Sequence, residues 1–253
     1  MEFAFHPGIG RNVSVNEFKD LEGPKLDRFS QPRQRPLPVC LACRVSLHTI
    51  GEDSGTVVPT WGHDPSKETY CPIKTSGGGR YDLLPPTEAD VAAGQRVRAA
   101  FFQTWKQSWG FIRDVAPYSD IYAFVRFLQR MDSLRLWEQR RLEAWHVAYM
   151  FLSTCDFPPT ASRATWLRFR FDGRVRTLRD LWIEAAPGFE FLCLEYRSPA
   201  RKPEPGPNEF IAAHPVYVGT RWLNDTFPAP HEVAVREMSR AFANECQVPV
   251  IPA

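Results

Sequence analysis

Hydrophobic residues recur with the period of an α-helix in the middle of the chain. Thr87 and Asp90 form a capping-box-like start, and Pro117 ends the predicted helix. The apolar positions between them are spaced by four, four and three residues, which places them on one helix face. They are Phe101, Trp105, Trp109 and Ile112.

Two further helices are predicted after this one. The second begins at Ser119–Asp120, and the third follows Asp132–Ser133 and runs to about Leu152. Each carries an apolar stripe on one face. Three amphipathic helices joined by short turns predict an antiparallel bundle over residues 85–160, with the aromatic stripes in its core.

Four residues of the kinds that bind zinc lie close together before the bundle. Cys40 and Cys43 form a Cys-x2-Cys pair, and His63 and Cys71 follow about twenty and thirty residues later. Such a set can complete a closed tetrahedral zinc site, which holds structure rather than carrying out chemistry. The alternative is that three reduced cysteines and a surface histidine cluster by chance.

The segment between these ligands has the pattern of a β-hairpin. Residues 44–50 alternate like a strand, residues 51–55 form a polar turn, and residues 56–61 read as a returning strand. So short a segment has few large aliphatic residues and cannot bury enough surface to fold alone. Bound metal would supply the missing free energy, on the order of 10 kcal/mol or more.

The spacing of these ligands resembles a known zinc motif. The Cys40-x2-Cys43 pair, the Trp61–Pro65 string around His63 and the Tyr70–Pro72 string around Cys71 are similar to the amino-terminal zinc segment of the competence protein CoiA family. In that family the segment precedes a nuclease domain. A second resemblance, of layout only, is to the zinc-bearing large-subunit-like protein of type IV CRISPR effector complexes.

An arginine-rich segment follows the bundle. Residues 166–177 read as strand, turn and strand, and a three-residue loop at 171–173 pairs Phe169 with Val175. This register sets four arginines on one face, where like charges repel unless an anion lies across them. These are Arg168, Arg170, Arg174 and Arg176.

Three environments could satisfy that arginine face. Nucleic-acid phosphate would make it a binding platform. Internal carboxylates such as Asp180, Glu184 or Glu190 could instead neutralise it. The third option is a solvated edge that discourages aggregation.

The sequence offers little for catalysis. It contains none of the nucleophile-elbow, phosphate-loop, zinc-protease or dinucleotide-binding patterns. The nearest approach to a metal-dependent nuclease is Asp180 with Glu195, but Arg197 stands where such a site needs a lysine. We therefore predict that the protein is not an enzyme by itself.

Composition and charge narrow the class of protein. The chain has 253 residues, 43% of them hydrophobic, enough for a real core, while 31 basic and 29 acidic residues leave a net charge of only +2. The amino terminus lacks a signal-peptide pattern and no apolar run reaches membrane-spanning length. We expect a cytoplasmic protein without membrane contact, and no small-molecule substrate is evident.

Together these patterns predict an α+β protein in four segments. An irregular amino-terminal arm (1–36) precedes a zinc-ribbon-like module (37–80), the helical bundle (85–160) and a mixed hairpin and helix region (161–253). The predicted function is that of a zinc-stabilised, non-catalytic nucleic-acid-binding subunit of a bacterial nucleoprotein complex, of the defence or DNA-uptake type. The alternatives are a CoiA-like metal-dependent nuclease and a protein-only adaptor.

Overall fold

The structure, a computed structural model, describes most of the chain. The residues described are 1–64, 71–73, 81–172, 175, 177–178, 180, 190–199, 204–206 and 209–246. Within them the protein mixes helices and small sheets, as predicted. No helix in this part of the chain combines the length and the apolar character needed to span a bilayer.

The chain divides into two compact units, which do not coincide with the four predicted segments. The sheet unit comprises residues 1–79, 158–176 and 190–215, and the helical unit comprises residues 80–157, 177–189 and 216–253. The elements, in chain order, are β1 (Ala4–His6), β2 (Arg11–Val13), α1 (Val15–Glu22), β3 (Leu47–Ile50), β4 (Thr60–His63), α2 (Val91–Val115), α3 (Ile121–Ser133), α4 (His146–Thr154), β5 (Asp156–Phe157), β6 (Thr165–Phe171), β7 (Phe191–Arg197), β8 (Phe210–Val216) and α5 (Glu232–Ala241).

The amino-terminal 36 residues are not an irregular arm, so that prediction is wrong. β1 pairs antiparallel with β2, and the Ser14 hydroxyl accepts a hydrogen bond from the Glu17 backbone N–H at the start of α1 (3.2 Å). Val13 and Phe18 are buried in the core of the sheet unit. Strands of three residues are too short to show a period in the sequence.

An ion pair holds the end of this region in place. The guanidinium of Arg35 donates to both carboxylate oxygens of Glu52 (2.6 and 2.9 Å), and the Thr49 hydroxyl donates to the same carboxylate (2.6 Å). The hydrogen bonds from Arg35, and to a lesser extent the one from Thr49, hold the pKa of the Glu52 carboxyl below its usual range. The end of the predicted arm is therefore attached to the turn that follows β3.

The hairpin predicted between the metal ligands is confirmed. β3 pairs antiparallel with β4, with Leu47 opposite His63 and Ile50 opposite Thr60. The strands are shorter than the sequence pattern indicated. The backbone of Met1 continues the pairing, because its carbonyl accepts from the Trp61 N–H (2.9 Å) and its amino group donates to the Trp61 carbonyl (3.0 Å).

The arginine-rich strand pairs with a more distant partner than predicted. β6 lies antiparallel to β7, which also pairs with β8, and Phe169 lies opposite Cys193 rather than Val175. Val175 is outside the strands, in a turn where its N–H donates to the Asp172 carbonyl (3.1 Å). Pairing with β7 sets Arg168 opposite Leu194 and so avoids the repulsion of the predicted hairpin.

The first two predicted helices are confirmed, and so is the start of the second at Asp120. The cap of α2 is Asp90, three residues after the Thr87 position that a capping box would use. The Asp90 carboxylate accepts from the Ala93 N–H at the start of α2 (2.8 Å). The Asp120 carboxylate accepts from the Tyr122 and Ala123 N–H groups at the start of α3 (2.9 and 3.2 Å). The predicted stripe of α2 is buried as expected. Its members are Phe101, Trp105, Trp109 and Ile112.

The third predicted helix is interrupted. The chain forms a single 3-10 turn at Leu136–Glu138, and α4 begins only at His146. Arg135 and Arg141 have left-handed backbone angles (φ 55° and 67°), which an α-helix does not accommodate. The last helix, α5, ends at Ala241.

The helical unit is built around aromatic rings. Phe124 on α3 is fully buried, and its ring centroid lies 5.3 Å from that of Trp109, 6.3 Å from that of Phe101 and 5.0 Å from that of Phe151. Rings at these separations contribute stability beyond their buried area. The prediction that the aromatic stripes form a core is confirmed for these residues.

Candidate metal centre

Two of the predicted ligands lie on one tight turn before β3. The Cys40 N–H donates to the Val45 carbonyl (2.8 Å), and the Arg44 N–H donates to the Cys40 carbonyl (3.0 Å). Arg44 takes a left-handed conformation (φ 59°) that closes the turn directly after Cys43. The Cys-x2-Cys segment thereby folds back on itself.

The hairpin brings the other ligands to this turn. His63 is the last residue of β4, opposite Leu47 at the start of β3. Cys71 follows and is buried, at 1% exposure. One ligand atom from each of the four residues lies within 4.8 Å of all the others. The structure therefore assembles the predicted set Cys40, Cys43, His63 and Cys71 into one group that could hold a metal ion.

Two distances in this group can be compared with those of a tetrahedral zinc site. Zn–S bonds of about 2.3 Å and Zn–N bonds of about 2.0–2.1 Å imply S···S edges of about 3.8 Å and S···N edges of about 3.6 Å. The Cys40 and Cys71 sulfurs are 3.7 Å apart, and the Cys43 sulfur is 3.2 Å from Nε2 of His63. The first edge agrees, and the second needs an expansion of a few tenths of an ångström.

Three thiols at this separation have strongly perturbed acidities. Hydrogen bonds from Cys40, then from Cys71, hold the pKa of the Cys43 thiol well below its ordinary value. Crowding against Cys40 and then Cys43 raises the pKa of the Cys71 thiol. One thiolate therefore suppresses the ionisation of its neighbours, whereas a divalent cation stabilises all three as thiolates.

Two members of the group belong to the core of the sheet unit. Cys40 (0% exposed) and Cys71 are in the same hydrophobic cluster as Leu194, Tyr196 and Phe210. Strand β7 is apolar at almost every position, which is a signal of burial on both faces. Cys43 and His63 are half-buried.

The predicted arginine face is placed differently from expectation. Arg168 and Arg170 do lie on one face of β6, but they are 5% and 0% exposed. The Arg168 guanidinium lies 3.4 Å from a Glu204 oxygen, and Nη1 of Arg170 donates to the Phe169 carbonyl (2.7 Å). Two such buried side chains do not fit an open phosphate platform. Arg174 and Arg176 lie outside the described residues, so their part of the face stays a prediction.

The residues of the nuclease alternative are engaged elsewhere. The Asp180 carboxylate accepts a hydrogen bond from the Thr177 N–H (2.6 Å). Glu195 accepts from the Thr165 hydroxyl (2.7 Å) and lies 3.5 Å from Nε2 of His214. Among the described residues, neither carboxylate belongs to a group of three or more metal-binding side chains.

Two other reactive residues have environments that disfavour chemistry. Burial raises the pKa of the Cys193 thiol to about 12, which leaves it protonated and weakly nucleophilic at neutral pH. Burial also lowers the pKa of His146 to about 4. Its Nδ1 accepts a hydrogen bond from the Glu143 N–H (2.9 Å).

Comparisons with known proteins add no information about function to this geometry. No protein-family model matches the sequence, and searches of curated proteins and of solved structures likewise find no match. The resemblances to the CoiA zinc segment and to the CRISPR subunit therefore stay predictions.

Proposed function

We propose that this protein is a zinc-stabilised binding protein without enzymatic activity of its own. The observation that carries the proposal is the group of Cys40, Cys43, His63 and Cys71, two of them buried and two half-buried, whose ligand atoms lie within 4.8 Å of one another. Thiolate and imidazole ligands at tetrahedral separations suit zinc. Four protein ligands fill its coordination shell, so the ion would hold structure and leave no position for a reacting water.

We further propose that the partner is nucleic acid, within a bacterial nucleoprotein complex of the defence or DNA-uptake type. Support comes from the resemblance of the zinc segment to a DNA-uptake family. It also comes from exposed arginines in the helical unit, such as Arg126 and Arg130. Guanidinium groups on a surface meet phosphates readily.

Two measurements on the purified protein test this function. Elemental analysis of protein prepared without chelator should give about one zinc per chain. Fluorescence anisotropy with labelled single-stranded DNA, duplex DNA and single-stranded RNA should show binding that weakens with salt. Absence of stoichiometric zinc, or of binding to all three probes, would overturn the corresponding part of the proposal.

A cleavage assay separates this function from the nuclease alternative. Incubation of plasmid and of single-stranded DNA with the protein and Mg²⁺ should yield no products. Cleavage that disappears in a Glu195→Gln variant would establish a nuclease instead. Cleavage that persists in that variant would indicate a contaminant, and a second purification step would then remove it.

One observation favours the adaptor alternative. The turn between β3 and β4 and the end of β3 expose apolar side chains, with Val58 at 79%, Val57 at 51% and Ile50, the last residue of β3, at 44% exposure. Adjacent exposed aliphatic residues are more typical of protein contacts than of phosphate contacts. An adaptor would carry zinc but bind none of the three nucleic-acid probes.

A further inference from the structure

We propose that an exposed stripe along α3 binds single-stranded nucleic acid; the inference rests on the proposed function and locates its contact surface in the helical unit. The stripe, called the α3 stripe below, consists of Tyr118, Tyr122, Arg126 and Arg130. The sequence analysis missed it because it followed only the apolar face of this helix.

The geometry of α3 fixes the direction of the stripe. Tyr122, Arg126 and Arg130 are spaced by four residues, so they lie on one side of the helix at intervals of about 6 Å along its axis. The opposite side is held in the core by Phe124 and Leu128, both fully buried. The stripe therefore faces away from the core, with Tyr122 46% exposed.

A groove runs beside the two arginines. Its volume is about 420 Å³, and Arg126, Phe127, Arg130, Tyr81 and Thr154 are among the residues that line it. A groove lined by aromatic and cationic side chains suits a strand that presents both flat bases and anionic phosphates.

The charges of the groove leave one arginine available. Arg126 lies 3.6 Å from Asp120, but both side chains are more than half exposed, so this pair is weak. The Asp120 carboxylate is already engaged by the first N–H groups of α3. Arg130 forms no ion pair within the described part of the chain. Asp82 is the acidic residue of the groove lining.

The first ring of the stripe is held in a costly conformation. Tyr118 has φ 65° and is 70% exposed at the turn that precedes α3. Glycine adopts this backbone region without steric cost, whereas a bulky side chain does not. A contact between the exposed ring and a bound ligand would explain a tyrosine at this position.

The combination of rings and guanidinium groups favours a nucleic-acid strand over an acidic peptide. Both ligands would satisfy the arginines, but only bases would also stack on two exposed tyrosines. Single strands fit better than duplexes, because paired bases do not offer their faces. Stacking and phosphate contact do not read bases strongly, so we expect little sequence preference.

The test compares two double arginine variants of the full chain. Arg126→Gln/Arg130→Gln removes the cations of the α3 stripe. Arg135→Gln/Arg140→Gln removes the same charge from arginines that already pair with Glu138 and Glu88. Anisotropy with labelled oligothymidylate over a salt series should show a logarithmic slope smaller by about 1.4 for the first variant, and a smaller change for the control.

Variants of the rings sharpen the test. Tyr122→Ala should weaken oligothymidylate binding about tenfold. Tyr118→Gly should weaken it similarly while leaving the melting temperature unchanged or raised, because the strain is relieved. Loss of binding together with loss of folding in this variant would contradict the contact role.

Each outcome has a defined meaning. If the wild-type protein binds oligothymidylate and the stripe variants bind equally well, the α3 stripe is refuted while the proposed function stands. Equal losses in the stripe and control variants would also refute it, since general charge would then explain binding. If the wild-type protein binds no nucleic acid, both proposals fail. Binding of labelled polyglutamate that requires Arg126 and Arg130 would identify a peptide surface instead.

Discussion

The sheet unit and the helical unit both bury aromatic residues but differ in what holds them together. In the helical unit, long helices bring Phe101, Trp109 and Phe124 into direct ring contact. In the sheet unit, short strands accompany a group of residues that could hold a metal ion, and Cys40 and Cys71 are themselves part of the core cluster. The comparison teaches that contacts between aromatic side chains hold one core, whereas the other contains ionisable thiols.

Removal of one ligand should give the largest difference between the units. Cys71→Ser should abolish stoichiometric zinc and unfold the sheet unit, since metal binding supplies on the order of 10 kcal/mol. The helical unit should keep much of its helical signal, because its core contains none of the ligands. Circular dichroism at 222 nm, together with elemental analysis, checks both expectations.

Cys246→Ser provides the matched control, because this half-buried cysteine lies in the helical unit, outside the ligand group. It should leave zinc content unchanged. If Cys71→Ser protein retained its zinc, or melted like the wild type, the metal-centred account of the sheet unit would be wrong.

Truncation of a central ring should destabilise the helical unit and leave zinc binding by the sheet unit unchanged. Phe124→Ala should lower the free energy of unfolding by about 3–5 kcal/mol, because a fully buried aromatic side chain leaves a cavity. Zinc stoichiometry should not change. Urea titration followed by tryptophan fluorescence measures the loss.

Tyr122→Ala, on the exposed side of the same helix, should change stability by less than about 0.5 kcal/mol. A loss of zinc in Phe124→Ala protein that remains folded would show that the two cores are not independent. Comparable destabilisation by the two substitutions would contradict the burial of Phe124.

A third substitution tests the buried arginine of the sheet unit. Arg170→Ala should lower the free energy of unfolding by about 2–3 kcal/mol, through lost packing and the lost hydrogen bond to the Phe169 carbonyl. Arg197→Ala on β7 is the control, since that side chain is 55% exposed in its pair with Glu2 and should contribute little.

The readout that distinguishes roles for Arg170 is nucleic-acid binding by folded protein. A structural role leaves the salt dependence of binding unchanged. A variant with wild-type stability but a reduced salt slope would restore the predicted phosphate platform and contradict the buried placement.

The smallest expected effect concerns the start of α2. Asp90→Ala should lower the free energy of unfolding by about 1 kcal/mol, because the carboxylate accepts from the Ala93 N–H. Asp90→Ser retains an accepting oxygen and should recover most of the loss. Thermal unfolding measures both, and equal stability of the alanine variant and the wild type would show that the cap is redundant.

The parts of the fold that could be predicted are those that local chemistry determines. Asp120 was recognised at the start of α3, and Asp90 as part of the start of α2, although together with Thr87, because a helix start needs only the next few residues. The candidate metal ligands were recognised because cysteine and histidine at this spacing have few roles other than metal binding. They are Cys40, Cys43, His63 and Cys71. Neither signal depends on what the rest of the chain does.

The parts that could not be predicted depend on distant partners. The position of Arg170 in β6 was clear, but its exposure depends on which strand pairs with β6 and which residues cover that face. Likewise, Val13 and Phe18 appeared to lie in a polar arm because the core they enter is formed by residues much later in the chain. The break at Arg135 and Arg141 reflects backbone conformations that hydrophobic spacing does not encode.

Burial of the ligands bears on how fast a metal ion could enter or leave. Cys40 is 0% and Cys71 1% exposed, and residues of β7, synthesised long after both, help to enclose them. An ion captured by the nascent chain would thus become trapped once β7 docks. Cys43 and His63 are half-buried and could be approached by a chelator, but release of the ion from Cys40 and Cys71 would require local opening of the sheet unit. A release rate that does not depend on chelator concentration would then measure the rate of that local unfolding.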